Sequence, residues 1–330
     1  MLTPGRTFRL LCACVLALAL SAALPARAAP LHRITLWLDW YPNTDHAGIY
    51  VAMTRGYYAQ EGLQVDAKVP SGAADAVRLV AHGTGDIGIS YEPTVLLARR
   101  QGIPVVATAA IVQQPLNCVL TLRGSHITRP RQLEGHTVGM AGEASDYTDL
   151  QAIVQHDGGD YNKVKKLVVN YSLLQSLLAR KTDAIIGAYW TWEALQAQQQ
   201  GYQINVLRLN QWGIPTYNEL VFVTGQSQLA REPSVLRAFQ RATFRGYAYA
   251  VAHPAEATAI LLKAPGVLST SRALIQHSLT LLAPLFKDAR GQYGTMDPRQ
   301  WQSYADWMTR THLMSGHLDA AQALTLKLLP

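Results

Sequence analysis

Short runs of β-branched and aliphatic residues alternate with stretches of helical period along the first two thirds of the chain. Strand-like residues 34–39 precede a helical pattern over 47–60, 64–69 precede 73–82, 87–90 precede 93–100, and 105–111 close the series. Strands alternating with helices across short Gly and Pro punctuation predict a mostly parallel α/β sheet, since each parallel pair needs a helix-sized crossover. A second series follows, with strands at 137–140, 166–169 and 184–188 and helices at about 147–155 and 173–180. Two α/β lobes are therefore expected. From about residue 232 the pattern is helical, with Ala/Leu-rich stretches at 234–252, 255–263, 270–284 and 297–310.

The first 28 residues stand apart from this pattern. Arg6 and Arg9 precede an apolar run from Leu10 to about Leu20, and Ala26-Arg27-Ala28 precedes Ala29. A charged head, a greasy middle and small residues at the end read as a secretory signal, so the mature chain is expected to start near Ala29 in the periplasm. An uncleaved anchor is the alternative, but a membrane helix needs about 20 consecutive apolar residues, which neither this run nor any later segment offers. Cys14 faintly imitates a lipid-attachment site, yet it falls before the apolar stretch has finished. Removal of the signal leaves Cys118 alone, so the exported domain has no internal disulfide and depends on its core, for which about 300 residues are ample. Arg6, Arg9 and Arg27 leave with it, and the net charge of +7 falls by these three to +4. So modest an excess, without Lys/Arg runs, gives no nucleic-acid signature, and no nucleic-acid partner is expected. The expected state is a monomer.

The densest chemistry lies in the stretch from Trp37 to Tyr50, which includes Asp39, Trp40, Tyr41, Asn43, Asp45 and His46. Flat rings, carboxylates, an amide and an imidazole crowd a strand end and its following loop, which suits a planar polar ring better than a bare anion. Trp37 falls at a strand position expected in the core. Trp40 sits at the C-terminal strand end, where open α/β sheets bind ligands. Asp39 either reads the ligand or caps the following turn, and Asn43 either contacts the ligand or serves the turn after Pro42. His46 is read as a ligand residue or as a hydrogen-bonded loop histidine.

Leu38-Asp39-Trp40-Tyr41-Pro42-Asn43, then Gly56-Tyr57-Tyr58-Ala59-Gln60-Glu61-Gly62-Leu63, then Gly83-Thr84-Gly85-Asp86-Ile87-Gly88 occur in an order that resembles the SsuA/THI5-like (NMT1-like) family of periplasmic substrate-binding proteins. The likeness runs on through Gly142-Glu143-Ala144-Ser145 and Lys181-Thr182-Asp183-Ala184. It implies the two-lobed α/β fold (type II) of ABC-importer binding proteins, with residues 29–117 and 220–330 in one lobe and 118–219 in the other. The crossings are expected near 117–122 and 219–223. Within the family, Asp-Trp-x-Pro-Asn and Tyr-Trp-x-x-Glu resemble the thiamine-pyrimidine precursor binders. The likeness carries a ligand role to Trp40, Asn43 and His46 and to Tyr189, Trp190 and Glu193, and it implies a formylated aminomethyl-pyrimidine as ligand and an inner-membrane ABC permease as partner.

The residues support this on their own terms. An aminopyrimidine offers donors and acceptors on one edge and two flat faces, so its pocket wants a carboxylate for the edge and rings for the faces. Trp40 with Tyr189 or Trp190 supplies the rings. Glu193, one turn later, projects alongside if this segment opens a helix. Glu92 is expected at the pocket mouth, or as a complement to the dipole of a helix that Pro93 opens. Ser71-Gly72 and Gly142-Glu143-Ala144-Ser145 each precede a helix, with Ser145 as the expected N-cap, so either is a candidate oxyanion site. Glu143, Asp146 and Asp149 crowd the second, and no Arg or Lys is evident, which disfavours a sulfonate, nitrate or phosphate. Asn117 and Tyr217, at the two crossings, are further contact candidates, the latter equally a hinge residue.

The eukaryotic members of the family make the pyrimidine from lysine-bound pyridoxal phosphate and a histidine of their own. Aligned on Gly85-Asp86-Ile87-Gly88, those positions fall here at Ser90 and Thr94, and their cysteine cluster near 214–222 is absent. Without the amine there is no Schiff base. No Gly-x-Ser-x-Gly or His-Glu-x-x-His motif replaces it, and the spacing of His46, Glu143 and Asp146 fits no standard metal motif. The expectation is a receptor without cofactor, metal or enzymatic activity. A receptor for another heteroaromatic or a sulfonate, and a pyrimidine-synthesising enzyme, are the alternatives.

Overall fold

A computed structural model describes residues 30–267 and 270–329. The signal-like segment, with Cys14, lies outside the described residues. Two five-stranded sheets organise the rest, ordered β2-β1-β3-β10-β4 and β7-β6-β8-β5-β9. The first is built from β1 (His32–Trp37), β2 (Leu63–Lys68), β3 (Ile87–Ser90), β4 (Val105–Val112) and β10 (Leu220–Gly225). The second comprises β5 (Asn117–Leu122), β6 (Thr137–Met140), β7 (Lys165–Val168), β8 (Ala184–Tyr189) and β9 (Ile204–Arg208). In each sheet three strands run parallel and the fourth, β10 or β5, pairs antiparallel with the third. The sheets are therefore mixed.

The helices among the described residues are α1 (Ala47–Thr54), α2 (Tyr57–Gln60), α3 (Ala76–Ala81), α4 (Glu92–Arg100), α5 (Ala144–His156), α6 (Leu173–Leu178) and α7 (Glu193–Gln199). The C-terminal set is α8 (Gln226–Arg231), α9 (Pro233–Ala252), α10 (Pro254–Leu261), α11 (Arg272–Leu282) and α12 (Pro298–Arg310). The single helix expected over 47–60 is two, because Gly56 adopts φ +70° and ends the first.

The chain leaves the first sheet after Val112 and enters the second at Asn117; it returns between Arg208 and Leu220. Residues 117–122, expected at a crossing, are already a buried strand of the second sheet. The strand β9 was not expected at all: five residues, INVLR, have too little alternation to declare themselves. Cys118 is buried within β5 and its thiol donates to the Ala188 carbonyl at 3.1 Å.

The first sheet packs its central strands against α1 and α9, which share a cluster holding Ile34, Leu36, Ile49, Phe222, Phe239 and Tyr247. Gly48 of α1 and Gly246 of α9 allow a close approach: a Cβ on Gly246 would collide with the Gly48 carbonyl oxygen. This contact places the start of α1, since the Tyr247 hydroxyl donates to the Asp45 carbonyl at 2.7 Å in the turn just before it. The loop richest in candidate residues is thus seated on a fixed helix pair.

Candidate ligand-binding site

The ends of β1, β3, β6 and β8 open onto one cleft between the two sheets. After β1, Asn43 accepts the Asp45 amide on its side-chain oxygen at 2.7 Å and so caps the turn Thr44–His46. The Asn43 amide donates to Nδ1 of His46 at 3.2 Å. With Nδ1 accepting, Nε2 is the donor, and it meets Asp39 Oδ1 at 2.9 Å. Tyr91, which follows β3, donates its hydroxyl to the other oxygen of Asp39 at 3.2 Å. A buried carboxylate is thereby oriented from two sides, with Trp40 beside it on the cleft wall.

The second sheet contributes acids. Helix α5 starts after Glu143, and Glu143, Asp146 and Asp149, spaced by three, share a face that lines the cleft. Asp146 Oδ2 accepts the amides of Gly142 and Glu143 at 2.9 and 3.0 Å, so this helix start is filled by its own carboxylate. At the other expected anion site α3 starts only at Ala76, and the amides of the turn before it are taken up instead. Asp75 Oδ2 takes the Gly72 amide at 2.8 Å, and the Ala73 amide goes to Asn170 across the cleft at 3.0 Å. Glu193 opens α7 and accepts the Tyr189 amide at 2.8 Å. Gly187, at φ +87°, keeps the wall open there, since a Cβ would lie 3.1 Å from Asp146 Oδ1.

The crossings form the floor. Glu219 Oε2 accepts the amides of Leu116 and Asn117 at 2.6 and 3.0 Å and the Tyr217 hydroxyl at 3.1 Å, which joins both crossings through one carboxylate. Asn117 donates to Asp149 at 3.4 Å and accepts the Gly187 amide at 2.9 Å. Across the cleft, Thr94 donates to Ser145 at 3.0 Å, and Tyr171 leans on Trp40 and Tyr41 with ring centroids 4.9 and 4.8 Å apart.

No lysine or arginine lines this cleft among the described residues. Burial therefore outweighs the hydrogen bonds these carboxyls accept, raising Asp146, Glu193 and Glu219 to about 7. Glu143 and Asp149 stand well above the usual carboxylate range, chiefly through burial and then through the charges of Asp146 and Glu219 respectively.

Of the residues singled out in the sequence, Asp39, Trp40, Asn43, Asn117, Glu143, Ser145, Tyr189, Glu193 and Tyr217 meet at the cleft. His46 stands behind the wall, holding Asp39. Glu92 is not at the mouth: it is fully buried, accepting the Asn218 amide at 2.7 Å and Gln300 at 3.0 Å, and Tyr91 faces the cleft instead. Trp190 turns away, donating to the Pro115 carbonyl at 3.3 Å with the Arg208 guanidinium 3.9 Å above its ring. Gly142 is engaged by Asp146 and does not line the cleft, and the N-cap of α5 is Glu143, two residues earlier than expected, which frees the Ser145 hydroxyl to meet Thr94. The lining residues that the sequence reading did not name are Ala141 and Gly187, while Tyr91, Pro93, Asp146, Asp149 and Glu219 lay in segments it named without giving each a contact of its own. The spacing of Glu143, Asp146 and Asp149 was the available signal.

Two mixed α/β lobes, two crossings and a cleft at the strand ends define the fold class of the two-lobed periplasmic binding proteins. Among solved structures, the alkanesulfonate-binding protein SsuA of Xanthomonas axonopodis pv. citri, bound to MOPS, matches with a TM-score of 0.69 at 12% identity, over 91% of this chain and 100% of that one. The chain belongs to the NMT1/THI5 like family, whose model matches residues 43–257. It is 33% identical to the formylaminopyrimidine-binding protein of Halalkalibacterium halodurans, over 84% of this chain and 85% of that one. It is 25% identical to the 4-amino-5-hydroxymethyl-2-methylpyrimidine phosphate synthase of Legionella pneumophila, over 90% of this chain and 92% of that one.

Proposed function

We propose that this protein is a periplasmic receptor that closes two lobes over an aminopyrimidine of the thiamine-precursor type and delivers it to an inner-membrane ABC permease. The observation that carries this reading is the cleft itself, where Trp40 and Tyr189 offer flat faces and the polar groups are carboxylates, amides and hydroxyls. Such a wall accepts hydrogen bonds from ring amines and repels anions. A sulfonate is disfavoured further because Asp75 and Asp146 already take the amides of Gly72, Gly142 and Glu143 in the turns ahead of α3 and α5. The formylaminopyrimidine-binding relative supports the same ligand class.

In this reading the lobes divide at the two crossings, and a ligand touching both gives the closed state contacts that the open one lacks. The synthase relative keeps an enzymatic reading in view. Against it, Ser90 and Thr94 stand where the resemblance places the lysine and histidine of the synthesising members, and the cleft wall offers no amine for a Schiff base. Calorimetry against formylaminopyrimidine, hydroxymethylpyrimidine, thiamine, riboflavin and taurine tests the proposal. Heat from taurine and none from the pyrimidines refutes it. A change in ligand mass, or an imine absorbance with pyridoxal phosphate, would return the enzyme.

A further inference from the structure

Trp40, the ring offered to the ligand, is held from across the cleft. It follows β1, yet its side chain packs against the apolar cluster of the second sheet, which contains Ala141, Leu173 and Ile185. A single turn, residues 170–172 between β7 and α6, supplies the aromatic part of that contact. Its Tyr171 meets Trp40 with 65° between the ring planes and Tyr41 with 51°, at separations where tilted aromatic rings attract. Tyr171 does not line the cleft itself, so its contact reaches the ligand space only through Trp40.

Two hydrogen bonds fasten the same turn to the loop after β2. The Tyr171 hydroxyl donates to the Pro70 carbonyl at 2.9 Å, and the Asn170 side-chain oxygen accepts the Ala73 amide. Asn170 holds φ +52°, a left-handed conformation that Asn tolerates better than most residues. Burial, and after it the charge of Asp39, push the Tyr171 hydroxyl above its ordinary range, so it stays a donor at neutral pH. None of these contacts uses a ligand atom. All of them join one side of the cleft to the other, so parting the lobes breaks them together.

We propose that Tyr171 is a positioning residue and that residues 170–172 are a latch, which grips Trp40 when the cleft closes and sets how long a bound ring stays. The inference rests on Trp40 as the stacking face for the pyrimidine and adds what holds that face. In the open state Trp40 lacks the Tyr171 ring behind it, so the stacking wall is complete only after closure. The latch forms once the ligand has entered, and it therefore acts on release more than on capture.

Stopped-flow kinetics on the mature protein with formylaminopyrimidine and hydroxymethylpyrimidine test this. Tyr171→Ala should speed dissociation about tenfold or more, the combined effect of one aromatic pair and one hydrogen bond, and change association by less than about twofold. Tyr171→Phe keeps the ring and loses only the Pro70 bond, so it should restore most of the slow release. Asn170→Gly keeps the backbone conformation and loses the Ala73 bond, with dissociation expected about threefold faster. These two variants carry the test should Tyr171→Ala fail to fold. In a Trp40→Ala background, Tyr171→Ala should add little, since it acts through that ring. A merely structural role would lower the melting temperature and leave dissociation unmoved, and that result overturns the latch alone. Full additivity with Trp40→Ala overturns the positioning role. If neither compound binds the wild type, the pyrimidine reading falls and the latch with it.

Discussion

The two sheets repeat one topology, and the segments after their third strands can be compared directly. After β3 the chain runs Tyr91-Glu92-Pro93; from Tyr189, the last residue of β8, it runs Trp190-Thr191-Trp192-Glu193. Both tyrosines line the cleft and both glutamates open a helix, yet Glu193 faces the ligand space and Glu92 does not. The difference is three residues. In the second sheet they let the chain turn, with Trp190 bracing the first crossing, before the helix begins. In the first, the helix follows Tyr91 at once, and its first carboxylate is carried inward to Asn218 and Gln300. Equivalent positions thus do different work: Glu92 fastens the second crossing to α12, while Glu193 remains available to a ligand.

The largest effect that can break this comparison is on stability. Burial raises Glu92 to about 8, and its hydrogen bonds only partly offset this. A carboxyl raised in the folded state contributes stability below its unfolded value of about 4.5, and that contribution is lost as pH rises through about 8. At about 1.4 kcal/mol per unit the loss is on the order of 5 kcal/mol, and Asp146, Glu193 and Glu219 act in the same direction. The unliganded protein should therefore melt lower at pH 8 than at pH 5.5, and Glu92→Gln should flatten that slope while leaving ligand affinity little changed. A slope unaltered by the variant would place Glu92 among groups that titrate normally.

Next is the stacking pair. Trp40→Ala and Tyr189→Ala should each lose about 1–3 kcal/mol of ligand binding, with stacking on a nucleobase as the analogue. A loss confined to one of them, read by calorimetry, would mean that the ring lies against a single face. Glu193→Gln keeps the shape and an acceptor for the Tyr189 amide but removes the charge. Its expected cost to binding is about 1–2 kcal/mol, within the range of hydrogen bonds to charged groups. Unaltered affinity would make Glu193 the equal of Glu92, a helix-start carboxylate serving only the fold.

Much of this contrast was visible in the sequence, and the invisible part has a physical reason. Alternating strand and helix periods placed the elements around the cleft, Trp40 and Asn43 stood out at a strand end where open α/β sheets bind ligands, and Tyr189 and Glu193 stood out through the family resemblance. Periodicity does not report direction within a loop. Trp190 and Tyr189 are adjacent, and only the turn after β8 decides which one enters the cleft. Glu92 and Tyr91 pose the same problem after β3. The floor was harder still, because Glu219 and Asp149 come together through two crossings whose length and strand registry no local pattern encodes. The acids of α5 read as a crowded helix start, when their spacing of three already put them on one face.

The smallest effect concerns His46, which touches no cleft space yet decides how one wall presents itself. Its Nδ1 is fixed as acceptor by the Asn43 amide, so Nε2 donates to Asp39, and Tyr91 completes the restraint from the end of the neighbouring strand β3. Asp39 is the single carboxylate that the β1 loop sets against the many supplied by the second sheet, so its orientation matters more than its charge. His46→Gln can keep one of the two hydrogen bonds but not both at that spacing. The expected loss is about 1 kcal/mol of ligand binding, the net worth of one hydrogen bond. It should appear as a faster dissociation rate with little change in association, because steering by the remaining carboxylates is untouched. Asp39→Asn should cost at least as much, and combining it with His46→Gln should add little further, since the histidine acts through the carboxylate. Full additivity of the pair would give His46 a contact of its own with the ligand.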